Sequence, residues 1–289
     1  MDWKKITIES KNIINEYLKN KFLICDYNFT NLLLWSEGDN IEFFENGELL
    51  FLRGNYLGKN TYFMPVSKTN DISNVKFGIN KILSLGEEIH LIPEEWKNIL
   101  SDFYIFTEKE DNFDYMYNIA SLVTLEGRKY NKKKNKLNFF KKNYDFKYHK
   151  ITKENISRVN NFQNFWCLKK ECEKNRDLFN ENLGIKYLID NYSELDIKGG
   201  FIEVDGKVVA YSFGEVINED IVVIHIEKAD ENYKGSYQAI NAIFLEKEWQ
   251  GYTFVNREDD AGILGIRIAK SSYLPEKMLK KYSLISVKI

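Results

Sequence analysis

Apolar positions along the chain switch repeatedly between the period of a helix and that of a strand. Thr7 to Leu18 sets Ile13, Ile14, Tyr17 and Leu18 on one side of a helix. Phe29–Trp35 is a short apolar run and is read as a strand. Ile41–Phe44 and Glu48–Arg53 flank Asn46-Gly47, a pair suited to a tight primed turn, and so predict a β-hairpin. A strand over Thr61–Val66, a helix over Ile72–Leu85, a strand over Ile89–Ile92 and a short helix over Glu94–Leu100 follow. The second half repeats this order. Gly200–Val204 and Lys207–Gly214 form a hairpin about Asp205-Gly206. A strand over Ile221–Ile226, a helix over Tyr237–Trp249 and a strand over Tyr252–Val255 come next, and Gly262–Ser271 is a further element.

The matching order implies two related α/β (α+β) halves, each a mostly antiparallel sheet with packed helices. The alternative is one continuous domain with a chance likeness between its ends. The halves are expected over residues 1–125 and 151–289. Between them, residues 126–150 (EGRKYNKKKNKLNFFKKNYDFKYHK) read as a bridging helix, with Leu137, Phe140 and Tyr144 docked and the other face basic.

Composition adds limits. Hydrophobic residues make up 44% and charged residues 29%, which is globular, and a net charge of −2 leaves polyanion binding to local patches such as Arg128–Lys142. Cys25, Cys167 and Cys172 are too few and too spread for a disulfide framework or zinc site, so a reducing compartment is expected. No signal peptide and no run of about 18 apolar residues is present, so the chain reads as soluble and cytoplasmic. Oligomeric state is not readable.

Candidate chemistry collects where two strands end in charge, an arrangement by which α/β sheets build sites. The first strand leads into Glu227 and Asp230, the second into Asn256, Arg257, Glu258, Asp259 and Asp260. His225 and Glu227 are expected on one strand face by alternation. Three consecutive acids need a cation: a substrate ammonium, Arg267 and Lys270 one helical turn apart, or a divalent metal. No spaced metal-loop pattern is present, and no metal is predicted. The acids can also sit at a helix start without a ligand. The turn Asn232-Tyr233-Lys234-Gly235-Ser236-Tyr237 opens a helix where GNAT-fold acetyltransferases carry a pyrophosphate loop. It keeps only the middle glycine and sets a bulky Tyr237 last, which disfavours CoA.

Four blocks carry a family resemblance: Gly127–Tyr144, Gly199–Glu215, His225–Asn241 and Asn256–Met278. Together they resemble the C-terminal catalytic domain of phosphatidylglycerol lysyltransferases, over most of the chain from Asn28. The resemblance implies a tandem GNAT-like fold related to the Fem-type aminoacyl transferases. It implies transfer of an aminoacyl group from charged tRNA to an acceptor, which could be a small molecule, a peptide or an anionic lipid. Full lysyltransferases carry a membrane flippase domain that is not read here, so neither the lipid acceptor nor the amino acid is carried over. On this reading Glu227, Asp230, Glu258, Asp259 and Asp260 hold an ammonium or deprotonate the nucleophile. Arg267, Lys270 and Arg257 face carboxylate, phosphate or oxyanion. Arg128, Lys129, Lys132 and Lys133 touch tRNA or a phosphate, and His225, Asn241, Asn256 and Tyr273 complete the substrate contacts. No cofactor is expected. An acyl-CoA donor or a non-catalytic ligand-binding module are the alternatives, and the first half is expected to be mainly structural.

Overall fold

The computed structural model describes residues 1–56 and 59–288. The chain runs through β1 (Lys4–Lys5), α1 (Lys11–Leu18), α2 (Phe29–Ser36), β2 (Glu42–Glu45), β3 (Leu49–Tyr56), β4 (Lys59–Phe63), β5 (Val66–Ser67), α3 (Ile72–Leu83), β6 (Ile89–Pro93), α4 (Glu94–Leu100) and β7 (Tyr104–Glu108). It then forms β8 (Asp114–Asn118), α5 (Ile119–Thr124), the basic α6 (Asn131–Asn143) and β9 (Phe146–Lys150). The rest comprises α7 (Ile156–Lys169), α8 (Arg176–Asp190), β10 (Ile197–Val204), β11 (Lys207–Val216), β12 (Ile221–Ala229), α9 (Ser236–Glu248), β13 (Phe254–Asn256), α10 (Leu264–Ser271), β14 (Lys277–Leu279) and β15 (Lys281–Val287).

Among the described residues the strands form two sheets. One has the order β1-β2-β3-β4-β6-β15-β7, with β5 also paired to β3, and the other β14-β8-β13-β12-β11-β10-β9. Each is antiparallel apart from one parallel pair, β4 with β6 and β12 with β13, across a helix crossover. The mostly antiparallel α/β halves expected from the hydrophobic pattern are therefore present. Both hairpins form, and Asp205 and Gly206 take the positive φ a primed turn needs.

The halves also exchange strands. In the first sheet the strand beyond the parallel pair is β15, from the end of the chain. In the second it is β8, from before residue 125. Cores follow the same weave. One apolar cluster takes the first half together with α7, α8 and the inner face of the second sheet (Phe201, Tyr211, Phe213, Val223). Another lies between the opposite face of that sheet and α5, α6 and α9. At the weld between α2 and α8, a Cβ on Gly184 would overlap the Leu34 carbonyl, so only glycine allows this approach.

Two expectations are corrected. Phe29–Trp35 is not a strand but most of α2. The Asn28 side chain accepts from the Asn31 N–H and starts the helix, and its positions are buried on nearly all sides. A short apolar run buried all round carries no period that separates helix from strand. Nor are all the cysteines free. The α7 helix ends at Lys169, Glu171 takes left-handed backbone (φ +51°), and Cys172 is brought back to Cys167 in a disulfide with Cα atoms 5.1 Å apart.

Candidate functional site

The parallel pairing of β12 with β13 covers only Ile221–Val223 against Phe254–Asn256. Beyond it β12 continues beside β11 to Ala229, while the other chain turns away at Arg257. Side chains fill the gap. Arg257 Nη2 donates to Glu227 Oε1 at 3.0 Å, and Asn241 Nδ2, from α9, donates to Glu227 Oε2 at 3.2 Å. The guanidinium lies 5.8 Å from the ring centre of Tyr117 and 5.3 Å from that of Tyr273, and Lys133 Nζ, from α6, lies 4.2 Å from Tyr273. Burial opposes the charge on Arg257, but Glu227 outweighs it and raises the pKa. The Nη1 of Arg257 is buried and finds no partner among the described residues. Burial lifts the Tyr273 phenol to about 12, so at neutral pH it is a hydrogen-bond donor.

His225 and Glu227 do not share a strand face. The β11–β12 register passes from Phe213↔Ile226 to Gly214↔Ile224, which leaves His225 as the extra residue of a bulge. The alternation is broken there and the two side chains reach different partners. His225 is fully buried between two carboxylates, with Nε2 2.8 Å from Glu215 and Nδ1 2.8 Å from Glu258. Burial alone would lower its pKa, but the bonds to Glu215 and then Glu258 raise it to about 9. Glu258, at φ +59°, also accepts from Asn31 of α2.

The remaining expected site residues are drawn into structural bonds. Asp259 faces Lys281 at 3.5 Å, and that buried ammonium also pairs with Asp114 at 2.6 Å and with Asp26. Cys25, Asp26 and Asp114 are spaced as metal ligands could be, and the Lys281 ammonium lies against all three. Asn256 bridges Asp114 and the Leu23 carbonyl. Asp260 holds Arg267 in a two-point pair (2.8 and 2.9 Å) and accepts from Tyr115 at 2.6 Å, while Arg267 also reaches Asp111. Lys270 Nζ caps the carbonyls of Arg257, Glu258 and Asp259. Asp230 binds Lys169 at 2.6 Å and the Asn232 N–H, shaping the turn before α9. Three consecutive acids thus diverge to three different cations: His225, Lys281 and Arg267.

Gly235 (φ +92°) sits in the turn before α9, but the space above it is filled. A Cβ there would collide with the Lys136 carbonyl oxygen of α6. The glycine serves helix docking, and the atom facing it is an acceptor, which repels a phosphate. Arg128, Lys129 and Lys132 are exposed just before and at the start of the same helix.

The sequence profile described as "Phosphatidylglycerol lysyltransferase, C-terminal" matches residues 21–285. The chain belongs to this family. An uncharacterised protein of Mycoplasmoides gallisepticum is 30% identical over 236 residues, 76% of this chain and 73% of that protein. A conserved protein of unknown function from Bacteroides thetaiotaomicron has 30% identity and a TM-score of 0.87, covering 99% of this chain and 100% of the other. L-PGS from Bacillus licheniformis shares the fold, with a TM-score of 0.64 at 16% identity over 97% of this chain and 92% of that one. The lysyltransferase-family fold is thus shared with relatives whose functions are unassigned. Among the described residues no helix is long and apolar enough to cross a membrane.

Tyr117, Glu215, Asn31 and Lys281 were not singled out from the sequence. Tyr115 and Tyr117 alternate within β8, and that DYMYN alternation was a usable strand signal. Lys281 had none, because its acids come from Asp26, Asp114 and Asp259, which are scattered along the chain.

Proposed function

We propose that the protein transfers an aminoacyl group from charged tRNA to an acceptor amine or hydroxyl at the gap between β12 and β13. The acceptor attacks the ester carbonyl, the bond to the ribose oxygen breaks, and the acceptor's proton ends on that oxygen. The ester is already activated, so the protein need only position it and stabilise the developing oxyanion.

The observation that carries this reading is Arg257. Glu227 and the flanking tyrosines orient a guanidinium whose Nη1 is buried and unpartnered. A buried donor without an acceptor is costly unless a ligand completes it. Tyr273 offers a second neutral donor beside it. Lys133 is at hand for a donor phosphate, with the exposed Arg128, Lys129 and Lys132 nearby in the same segment. Family membership supports transfer chemistry. The Lys136 carbonyl over Gly235 speaks for tRNA over acyl-CoA as donor.

Filter binding with a mixed pool of aminoacylated tRNA, against the same pool deacylated, tests the donor. Loss of the ester on adding amines and hydroxyl compounds tests transfer. Arg257→Lys should slow that loss by about a hundredfold, the usual cost of one oxyanion donor, while charged tRNA still binds. Equal binding of both pools, with no ester loss above the protein-free rate, would remove the proposal.

A further inference from the structure

We infer that the cavity between the two halves is a second binding site, built for a free α-amino acid whose ammonium meets Glu215. It is separate from the Arg257 gap and does not rest on the transferase reading. A cavity of about 410 Å³ lies between the α1–α2 stretch and the turn from β11 to β12. That is near the lower end for small-molecule sites, about 300–1,000 Å³, and suits one small metabolite. Leu18, Phe22, Phe29 and Ile217 supply an apolar wall.

Glu215 is a partly buried acid on that wall, its side chain 12% exposed. Its Oε1 is taken by His225 Nε2 at 2.8 Å, and no described residue bonds its Oε2. His225 cannot swing away, because its Nδ1 is held by Glu258. A carboxylate pinned through one oxygen and open at the other is a preorganised acceptor for a charged donor. Lys19 lines the same cavity, is exposed, and pairs with no described residue. Lys11 is already spent on Asp196 at 3.0 Å and the Glu194 carbonyl at 2.7 Å. An inner acid, a free lysine and an apolar wall complement a zwitterion with an apolar side chain.

Titration calorimetry on the whole chain separates these parts. The probes are L-leucine, 3-methylbutylamine (ammonium only) and 4-methylpentanoate (carboxylate only). We expect saturable binding of leucine, weaker binding of the amine and none of the acid. Glu215→Gln should weaken leucine binding by about tenfold or more, the size of one charge-assisted bond. That variant also removes a partner of buried His225. Lys19→Glu, on the exposed side, is therefore the second variant: it should reduce leucine to the level of the amine with an unchanged melting temperature. Arg257→Lys should leave this binding as it is. Failure of every standard amino acid to bind would overturn the inference. So would leucine binding that neither variant weakens, or 4-methylpentanoate binding as tightly as leucine.

Discussion

His225 shows how one residue's environment sets its charge. Its folded pKa of about 9 exceeds the ordinary value of 6.5 because two carboxylates outweigh burial. A raised folded pKa contributes stability that is complete below pH 6.5 and is lost as pH rises through about 9. The shift corresponds to a contribution on the order of 3 kcal/mol. The melting temperature should therefore fall as pH rises through this interval, and His225→Gln should flatten that slope. The same slope in both proteins would mean that His225 does not change charge there. Residue identity also misled in places. Arg267 and Lys270 stand one helical turn apart, yet one pairs with Asp260 and the other caps backbone carbonyls. A motif names the residues available, while packing decides which of them remain unpaired.

Elements were easiest to read where two signals agreed. Asn46-Gly47 and Asp205-Gly206 lie between strand-forming apolar runs, and both hairpins follow. The basic segment was expected as a helix with Leu137, Phe140 and Tyr144 docked; Leu137 and Phe140 are buried in α6, while Tyr144 follows its last turn with extended backbone and is half-buried. The strand β9 that follows it was not foreseen, because its alternation of Phe146 and Tyr148 with Lys147 and His149 spans only five residues, half-buried or exposed, at a sheet edge and follows directly on the basic helix. The seat of α6 on the turn before α9 rests on Gly235. Gly235→Ala combines left-handed backbone with a clash against the Lys136 carbonyl, so it should cost more than about 2 kcal/mol in urea unfolding. A smaller loss would mean that α6 shifts freely on that turn.

At the scale of the molecule, the exchange of β8 and β15 makes the halves interdependent. Lys281, at the start of β15, lies in the first sheet and pairs with Asp26 from that half and with Asp114 on β8 of the second. Burial penalises its charge, but Asp114 and Asp26 hold its pKa well above the usual lysine value. Lys281→Met would leave buried carboxylates unanswered and should cost about 3–5 kcal/mol, read as a lower urea midpoint. If the halves come apart in separate transitions in this variant but not in the parent, the cluster joins them. A single transition with no loss would make it incidental.

The sequence by itself determined the repeated order of hairpin, strand, helix and strand, the basic helix between the halves and the family. Each of these lies in local periodicity, turn chemistry or ordered blocks, all of which survive when the chain is read one window at a time. Only the tertiary structure decided that β8 and β15 change sheets, that a bulge turns His225 away from Glu227, and that Arg257 keeps a buried donor without a partner among the described residues while Arg267, more exposed, pairs with Asp260 and Asp111. Those outcomes depend on which distant groups meet in a low-dielectric interior. There, pairing and desolvation between residues brought together by the fold outweigh anything their immediate neighbours in sequence can dictate.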